Sequence, residues 1–304
     1  MLDICLLGTG GMLPLPDRYL TAFLARLNGK KLLIDCGEGT QVTMRLLGWG
    51  YKTVDIICFT HYHGDHITGL PGLLLTIGNA GRKEPLTLIG PPGLKKVVEG
   101  LTVVCKDLAF ELNLIELPYE EQELQIGEFY ISILPVPHNV KCFAYTIENR
   151  RNPKFVVEKA RANNVPQKYW KTLQQGKPVT EGNVTYTPDM VLGQARKGIK
   201  VSYCTDCRPI QELEDFIRGA DLFICEGMYI EDTYLDQVKK HKHMLSSEAA
   251  KLAKAGNVKE LWLTHFSPAL PHNYMSIDHI KPIFNNIHIG QDRMTTTLEF
   301  SEEE

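Results

Sequence analysis

Six consecutive residues, His61-Tyr62-His63-Gly64-Asp65-His66, carry three imidazoles and a carboxylate. They follow Asp55–Thr60, an apolar run with the pattern of a buried strand. In extended chain, side chains alternate between faces, so His61 and His63 point the same way. Asp65 and His66 then fall at the entry of the next helix, and the turn sorts four ligands into two sets. Imidazole and carboxylate suit zinc at about 2.0–2.2 Å, and a catalytic site of this kind keeps one position open for water. Two such ions about 3.5–4 Å apart clamp the attacking and leaving oxygens of a phosphodiester and bring the pKa of bound water towards about 7. A pair of ions needs roughly six or seven ligands.

Three more strand-like runs stop at a ligand type. Phe129–Pro137 leads to His138, Lys200–Thr205 to Asp206 and Glu260–Thr264 to His265. If these strands share a direction, their ends gather along one rim. A lone histidine is more often a satisfied core or surface residue, and His241, His272, His279 and His288 are assigned to that class. Chance is a poor explanation for H-x-H-x-D-H after an apolar strand.

The elements that would position these residues are short β-branched runs mixed with helical patterns. Strands are expected at Asp3–Leu7, Thr21–Leu27, Lys31–Ile34, Asp55–Phe59, Leu86–Ile89, Phe129–Leu134, Phe143–Ile147, Lys200–Cys204, Leu222–Cys225 and Glu260–Leu263. Helices are expected at Gly39–Leu47, His66–Ile77, Leu94–Leu101, Ile210–Arg218, Ser246–Ala255 and Met275–Phe284. The class is α/β. Strands that do not strictly alternate with helices favour two sheets packed face to face, with helices outside.

The chain has 304 residues, 43% of them hydrophobic and 23% charged, which excludes a disordered or collagen-like chain. The longest apolar stretch, near Leu70–Ile77, is interrupted by Pro71 and Gly72 and falls short of the roughly 18 residues of a membrane span. Asp3 stands where a secretory signal needs a positive flank, and Ile4–Leu7 is too short for its apolar region. The expectation is a cytoplasmic protein with no membrane contact. Eight dispersed cysteines read as buried thiols, and Cys204-Thr205-Asp206-Cys207 is a C-x-x-C without a second pair to complete a four-cysteine metal site.

Charge is uneven. Residues 150–200 carry a net +8 against −11 for the rest of the chain. A basic segment on an acidic body suits an anionic partner such as nucleic acid. Lys168, Tyr169, Trp170 and Lys171 lie within it, offering cations for phosphates and flat rings for bases. The plain alternative is a charged surface helix, Pro153–Asn164, packed down by the aromatics. The Ser-Glu-Glu-Glu tail reads as a frayed terminus.

Five motifs in order extend this pattern along nearly the whole chain: Leu7-Gly8-Thr9-Gly10-Gly11, Thr60–His66, His138, Asp206 and Thr264-His265-Phe266-Ser267-Pro268. With them the sequence resembles the metallo-β-lactamase superfamily. Leu33–Gln41, the Thr264–Pro268 wording and His243 followed by Glu248-Ala249-Ala250 make it similar, within that superfamily, to the ribonuclease Z family of tRNA 3′-processing endonucleases. The resemblance implies a four-layer αββα sandwich of two mixed sheets, a single domain over residues 1–304 with an inserted basic substrate-binding arm at about 150–195. It implies two Zn2+ per chain. His61, His63 and His138 would hold one, Asp65, His66 and His265 the other, with Asp206 shared. It also implies Asp65 as base for the attacking water, His243 as proton donor to the departing oxygen and Glu226 as the group orienting His243. Spacing alone does not separate Asp65 as ligand from Asp65 as base, and the same ligands accept manganese or iron.

The implied activity is a zinc-dependent endoribonuclease that removes 3′ trailers from precursor tRNA, working as a homodimer. Departures from the family pattern are Cys207 in place of threonine, Ala269 in place of an arginine that Arg18 or Arg208 could replace, and an arm that keeps Leu173 and Gly176 without the Gly-Pro turn. They leave two alternatives: a related phosphodiesterase acting on other RNA or small diesters, and a non-catalytic RNA-binding protein stabilised by metal.

Overall fold

The computed structural model describes residues 1–270 and 276–301. It divides into two compact units, one of Met1–Asn149 with Ile199–Glu299 and one built on Arg150–Gly198.

The larger unit opens with β1 (Leu2–Gly8), β2 (Ala22–Leu27), β3 (Lys30–Ile34), α1 (Thr40–Leu47) and β4 (Val54–Cys58). It continues with α2 (Gly64–Ile67), α3 (Leu70–Asn79), β5 (Leu86–Gly90), α4 (Leu94–Leu101) and β6 (Leu112–Glu116). Then come β7 (Gln122–Ile126), β8 (Phe129–Val136) and β9 (Cys142–Arg151). The smaller unit holds α5 (Val157–Ala162), α6 (Trp170–Gln174), β10 (Val179–Glu181) and β11 (Val184–Tyr186). After it follow β12 (Arg196–Cys204), α7 (Gln211–Phe216), β13 (Leu222–Glu226), α8 (Leu235–His241), α9 (Ser246–Ala255), β14 (Leu261–Thr264), β15 (Ile287–Ile289) and β16 (Thr295–Leu298).

Two seven-stranded sheets result, in the orders β16-β1-β2-β3-β4-β5-β6 and β15-β14-β13-β12-β9-β8-β7. Both are mixed. In the first, β3 to β6 run parallel and the rest antiparallel; in the second, β12 to β15 are parallel while β7, β8 and β9 form a meander. Parallel strands are covered on both faces and therefore read as nearly continuous apolar runs. The outer cover of the first sheet is α1, α3 and α4, through Met44, Leu70, Leu74, Ile77, Leu94 and Val98. That of the second is α7 and α9, through Leu213, Ala249, Leu252 and Ala253. Between the sheets, Phe23 stacks on Tyr203 with centroids 5.4 Å apart, and the Tyr145 hydroxyl donates to the Phe59 carbonyl at 2.7 Å. This is the four-layer αββα sandwich.

All ten expected strands are present. Of the six unpredicted strands, β6, β7, β15 and β16 are the outermost ones of the two large sheets, and β10 and β11 form a separate pair in the smaller unit. An edge strand is half exposed, so its apolar residues are thinned by Glu, Gln, Asn and Thr and the pattern weakens. The expected helix His66–Ile77 is broken in two. Gly69 donates to the Cys36 carbonyl at 2.9 Å, and Pro71, lacking an N–H, starts the second piece. A Cβ on Gly69 would stand 2.2 Å from the Gly37 carbonyl oxygen, so only glycine fits that approach. The expected helix at Met275–Phe284 is not formed in its described part, which runs as turns around buried Ile277 and Ile280, with Pro282 unable to donate. Met275, His272 and the last three residues of the tail lie outside the described residues.

All eight cysteines are free and buried. Among the described residues, no helix is long and apolar enough to cross a membrane. The smaller unit has its own small core of Ala160, Val165, Leu173 and Val191. Phe223 lies fully buried in β13, within the cluster joining the second sheet to its helices. Phe223→Ala should cost about 3–5 kcal/mol, seen as a lower urea midpoint with an unchanged slope; a cost below about 1 kcal/mol would show that this layer does not carry the fold.

Candidate metal centre

The ends of four strands supply the polar cluster. After β4 the chain bends at Thr60 and is extended again at His63, and α2 begins at Gly64, so Asp65 and His66 occupy its first turn. His138 follows β8. Asp206 and His265 follow β12 and β14, both in the left-handed conformation with φ of 56°. A side chain in that region costs on the order of 1 kcal/mol or more, and such residues persist where the surroundings impose them.

Ligand-type atoms meet in two groups. His61 Nε2 stands 3.0 Å from His63 Nδ1, which is 3.3 Å from His138 Nε2; Asp206 Oδ2 is 3.8 and 3.7 Å from the outer two rings. In the second group His66 Nε2 and His265 Nε2 are 3.2 Å apart. Asp206 Oδ1 lies 3.3 and 3.1 Å from them, and Asp65 Oδ2 lies 3.7 and 3.4 Å. The tetrahedron around an ion with bonds of about 2.0–2.1 Å has edges of about 3.3–3.4 Å. Asp206 faces both sets, Oδ2 towards the first and Oδ1 towards the second.

Outer partners fix which ring nitrogen faces inward. The Thr60 hydroxyl, 2.9 Å from Asp35 Oδ2, donates to that carboxylate and so accepts from His61 Nδ1 at 3.0 Å. His66 Nδ1 donates to Asp35 Oδ2 at 2.8 Å, and His138 Nδ1 to the Lys242 carbonyl at 3.3 Å. For His61 and His138, and for His66 in its neutral form, these contacts leave the inner nitrogens as lone pairs. Lone pairs repel, and Asp206 Oδ1 is buried without a hydrogen bond. The donor set therefore fits a cation, and the cluster is a metal-binding one. Asp35 was not singled out from sequence. Its signal was only a carboxylate ending an apolar strand, and its φ of 60° places it in the same strained class as Asp206.

The glycine turn after β1 closes the other side. Met12 N–H donates to Asp65 Oδ2 at 2.7 Å. A Cβ on Gly11 would stand 2.7 Å from the His265 ring, which is why the backbone alone fits there.

Electrostatics agree with this geometry. Burial raises the Asp206 carboxyl, but His265 and His66 overcome it and hold the pKa well below the usual range. Asp65 is likewise held low against burial by His265 and His66. Burial and neighbouring rings push His61 well down and His138 down to about 4. Burial lowers His66 too, yet Asp206 and Asp35 raise it well above its ordinary value. Such excess carboxylate charge calls for a positive partner.

A cavity of about 290 Å³ opens beside the cluster. It is lined by His63, Asp65, His138, Asp206, His243 and His265, with Met12, Tyr229 and Val238 as its apolar side. His243 Nδ1 stands 2.9 Å from Glu226 Oε2, and the other oxygen of Glu226 accepts from the Cys207 N–H at 2.7 Å. Burial lowers the His243 pKa, but Glu226 and Asp206 outweigh it and bring it to about 9.

Several residues stand where the sequence did not indicate. His241, expected to be a satisfied core or surface residue, lines the cavity, while His279 and His288 are plainly on the surface. Arg18 is buried and props the loop after His265 by donating to the Ser267 and Leu270 carbonyls at 3.4 and 3.3 Å. Arg208 is paired with Glu248. Neither guanidinium lines the cavity, and neither does Ala269. Cys204 and Cys207 bring their sulfurs to 3.2 Å as thiols. In the smaller unit, Lys168 is paired with Glu181 and Lys171 is exposed. Tyr169 packs on Tyr186, and Trp170 packs on Phe155 while donating to the Val165 carbonyl at 2.9 Å.

Two mixed sheets with outer helices and a His/Asp cluster at the strand ends define the metallo-β-lactamase class of hydrolases, and residues 171–266 match the model of the Beta-lactamase superfamily domain. Residues 2–151 match the model described as Anti-Pycsar protein Apyc1. Over whole chains, identity is 53% to ribonuclease Z of Clostridium acetobutylicum across 306 residues, covering 99% of each chain, and 52% to that of Lachnoclostridium phytofermentans, covering 100% of each. The chain belongs to the ribonuclease Z family. In fold it is similar to human tRNase Z, short form, with a TM-score of 0.71 and 24% identity, covering 98% of this chain and 100% of that one. It is also similar to the Bacillus subtilis metallo-β-lactamase fold protein YhfI, with a TM-score of 0.69 and 21% identity, again covering 98% and 100%.

Asp35→Asn keeps the size of the side chain but removes the charge behind His66. Metal affinity should fall roughly 10- to 100-fold, measured by competition with a chromogenic chelator; unchanged affinity would mean that Asp35 supports only the loop.

Proposed function

We propose that the protein is a dizinc endoribonuclease that removes 3′ trailers from precursor tRNA, leaving a 3′-hydroxyl on the tRNA. The observation that carries this is the shared carboxylate: Asp206 offers one oxygen to each of two imidazole-rich sets beside a cavity that His243 lines. Family membership supplies the substrate class. His61, His63 and His138 would hold one ion and Asp65, His66 and His265 the other, with Asp206 common to both. Zinc, when bound, lowers the pKa of water and neutralises charge on a phosphodiester.

The remaining work falls to this chain's own groups. Asp65 would take the proton of the attacking water, its carboxylate held in place by the Met12 N–H. As the new P–O bond forms, the bond between phosphorus and the ribose 3′ oxygen breaks. His243 would give its proton to that oxygen, while Glu226 on Nδ1 leaves Nε2 as the donating atom. The +8 segment is the arm we propose for the tRNA backbone, with Lys168–Lys171 contributing cation and ring surface. The enzyme is read as a cytoplasmic homodimer in which one subunit's arm grips tRNA bound at the other, an arrangement common in this family.

Incubated with end-labelled precursor tRNA, the purified protein should carry about two zinc ions per chain and release a trailer with a 5′-phosphate. Asp65→Ala should abolish cleavage without loss of folded signal, and retained turnover would remove Asp65 from the chemistry. Reversing charge with Lys168→Glu and Lys171→Glu should weaken tRNA binding and flatten its salt dependence by roughly one phosphate contact per residue. An equal loss on a small chromogenic diester would instead mark the segment as structural.

A further inference from the structure

Residues 207 and 208, directly after the shared ligand Asp206, hold His243 from two sides. The Cys207 N–H fixes Glu226, which fixes the imidazole. The Arg208 side chain holds the backbone of the same histidine: Nη1 donates to the His243 carbonyl at 2.5 Å and to Glu248 Oε2 at 2.8 Å, while Nη2 pairs with Glu248 Oε1. Glu248 in turn accepts from the Leu245 N–H at 3.0 Å at the start of α9, and Arg208 N–H reaches the Pro137 carbonyl at 3.3 Å, one residue before His138. The backbone at His243 needs such restraint. Its predecessor Lys242 is left-handed, with φ of 58°, and the Lys242 ammonium is spent on the His138 carbonyl at 2.9 Å.

We propose that Arg208 is a positioning residue for the proton donor, its guanidinium tying the His243 carbonyl and the head of α9 to the loop that carries Asp206. The inference rests on the reading of His243 given above. A planar fork with several fixed donors is what three acceptors of this layout require; a lysine offers a point charge and cannot span them. The fork is already engaged with protein, which argues against a direct contact with the scissile phosphate.

The test is a double-mutant cycle on the zinc-loaded full-length chain, using precursor tRNA and a p-nitrophenyl phosphodiester whose leaving group needs no proton. Arg208→Ala should lower kcat on precursor tRNA roughly 10- to 100-fold, with KM and bound zinc little changed and a smaller loss on the activated diester. In a His243→Ala background the same substitution should cost little more, because the group it positions is gone. Arg208→Lys should recover only part of the rate. Should Arg208→Ala fold poorly, Glu248→Gln, which keeps the side-chain size and weakens the pair, is read in the same cycle. A loss that multiplies through in the His243→Ala background, or one appearing as higher KM at constant kcat, overturns the inference. If His243→Ala by itself leaves the rate on precursor tRNA unchanged, the acid assignment fails and this inference falls with it.

Discussion

A carboxylate buried beyond the reach of water needs a positive partner, and the imidazoles that face Asp206 have their protons committed elsewhere. Outer contacts from Thr60, Asp35 and Lys242 occupy the far nitrogens of His61, His66 and His138, so the near ones arrive as lone pairs. Taken alone this packing is repulsive. It is tolerable because the fold as a whole, with its two facing sheets, holds the strand ends at fixed positions, and because a cation converts each repulsion into a bond.

The same logic explains where the backbone is strained. Met12, Asp35, Asp206, Lys242 and His265 are all left-handed non-glycine residues, and each is a ligand-type residue or touches one. Straight continuation of β12 or β14 would carry Asp206 and His265 past the cluster; the reversal in φ turns them into it. Five of the ten left-handed non-glycine positions among the described residues sit at the site, where the dense packing of Leu263, Phe223 and their neighbours offsets their cost.

In the function proposed above, chemistry and substrate grip fall to different units. Every residue lining the cavity belongs to the larger one, whereas the excess positive charge belongs to the smaller. In the smaller unit Trp170 and Tyr169 are drawn into ring contacts that stabilise a very small core, leaving exposed lysines such as Lys171 as its outward chemistry. Phosphate backbones are bound mainly by such cations.

From the chain alone, the apolar interior strands and the polar residues terminating them were legible, because burial on both faces leaves an unbroken apolar signature and a ligand at its end interrupts it. His61–His66, His138, Asp206 and His265 therefore stand out in the chain itself. Edge strands were not, since a half-wet strand carries little contrast. Nor was the break at Gly69, which depends on a carbonyl 32 positions earlier in the chain. Asp35, the Lys242–His138 exchange and the Arg208–Glu248 fork also escaped notice. Their identities are ordinary for surface polar residues, and only the tertiary structure, by removing water and setting donors against particular acceptors, gives them their meaning. Sequence periodicity records what a residue is buried from; it does not record what that residue is buried against.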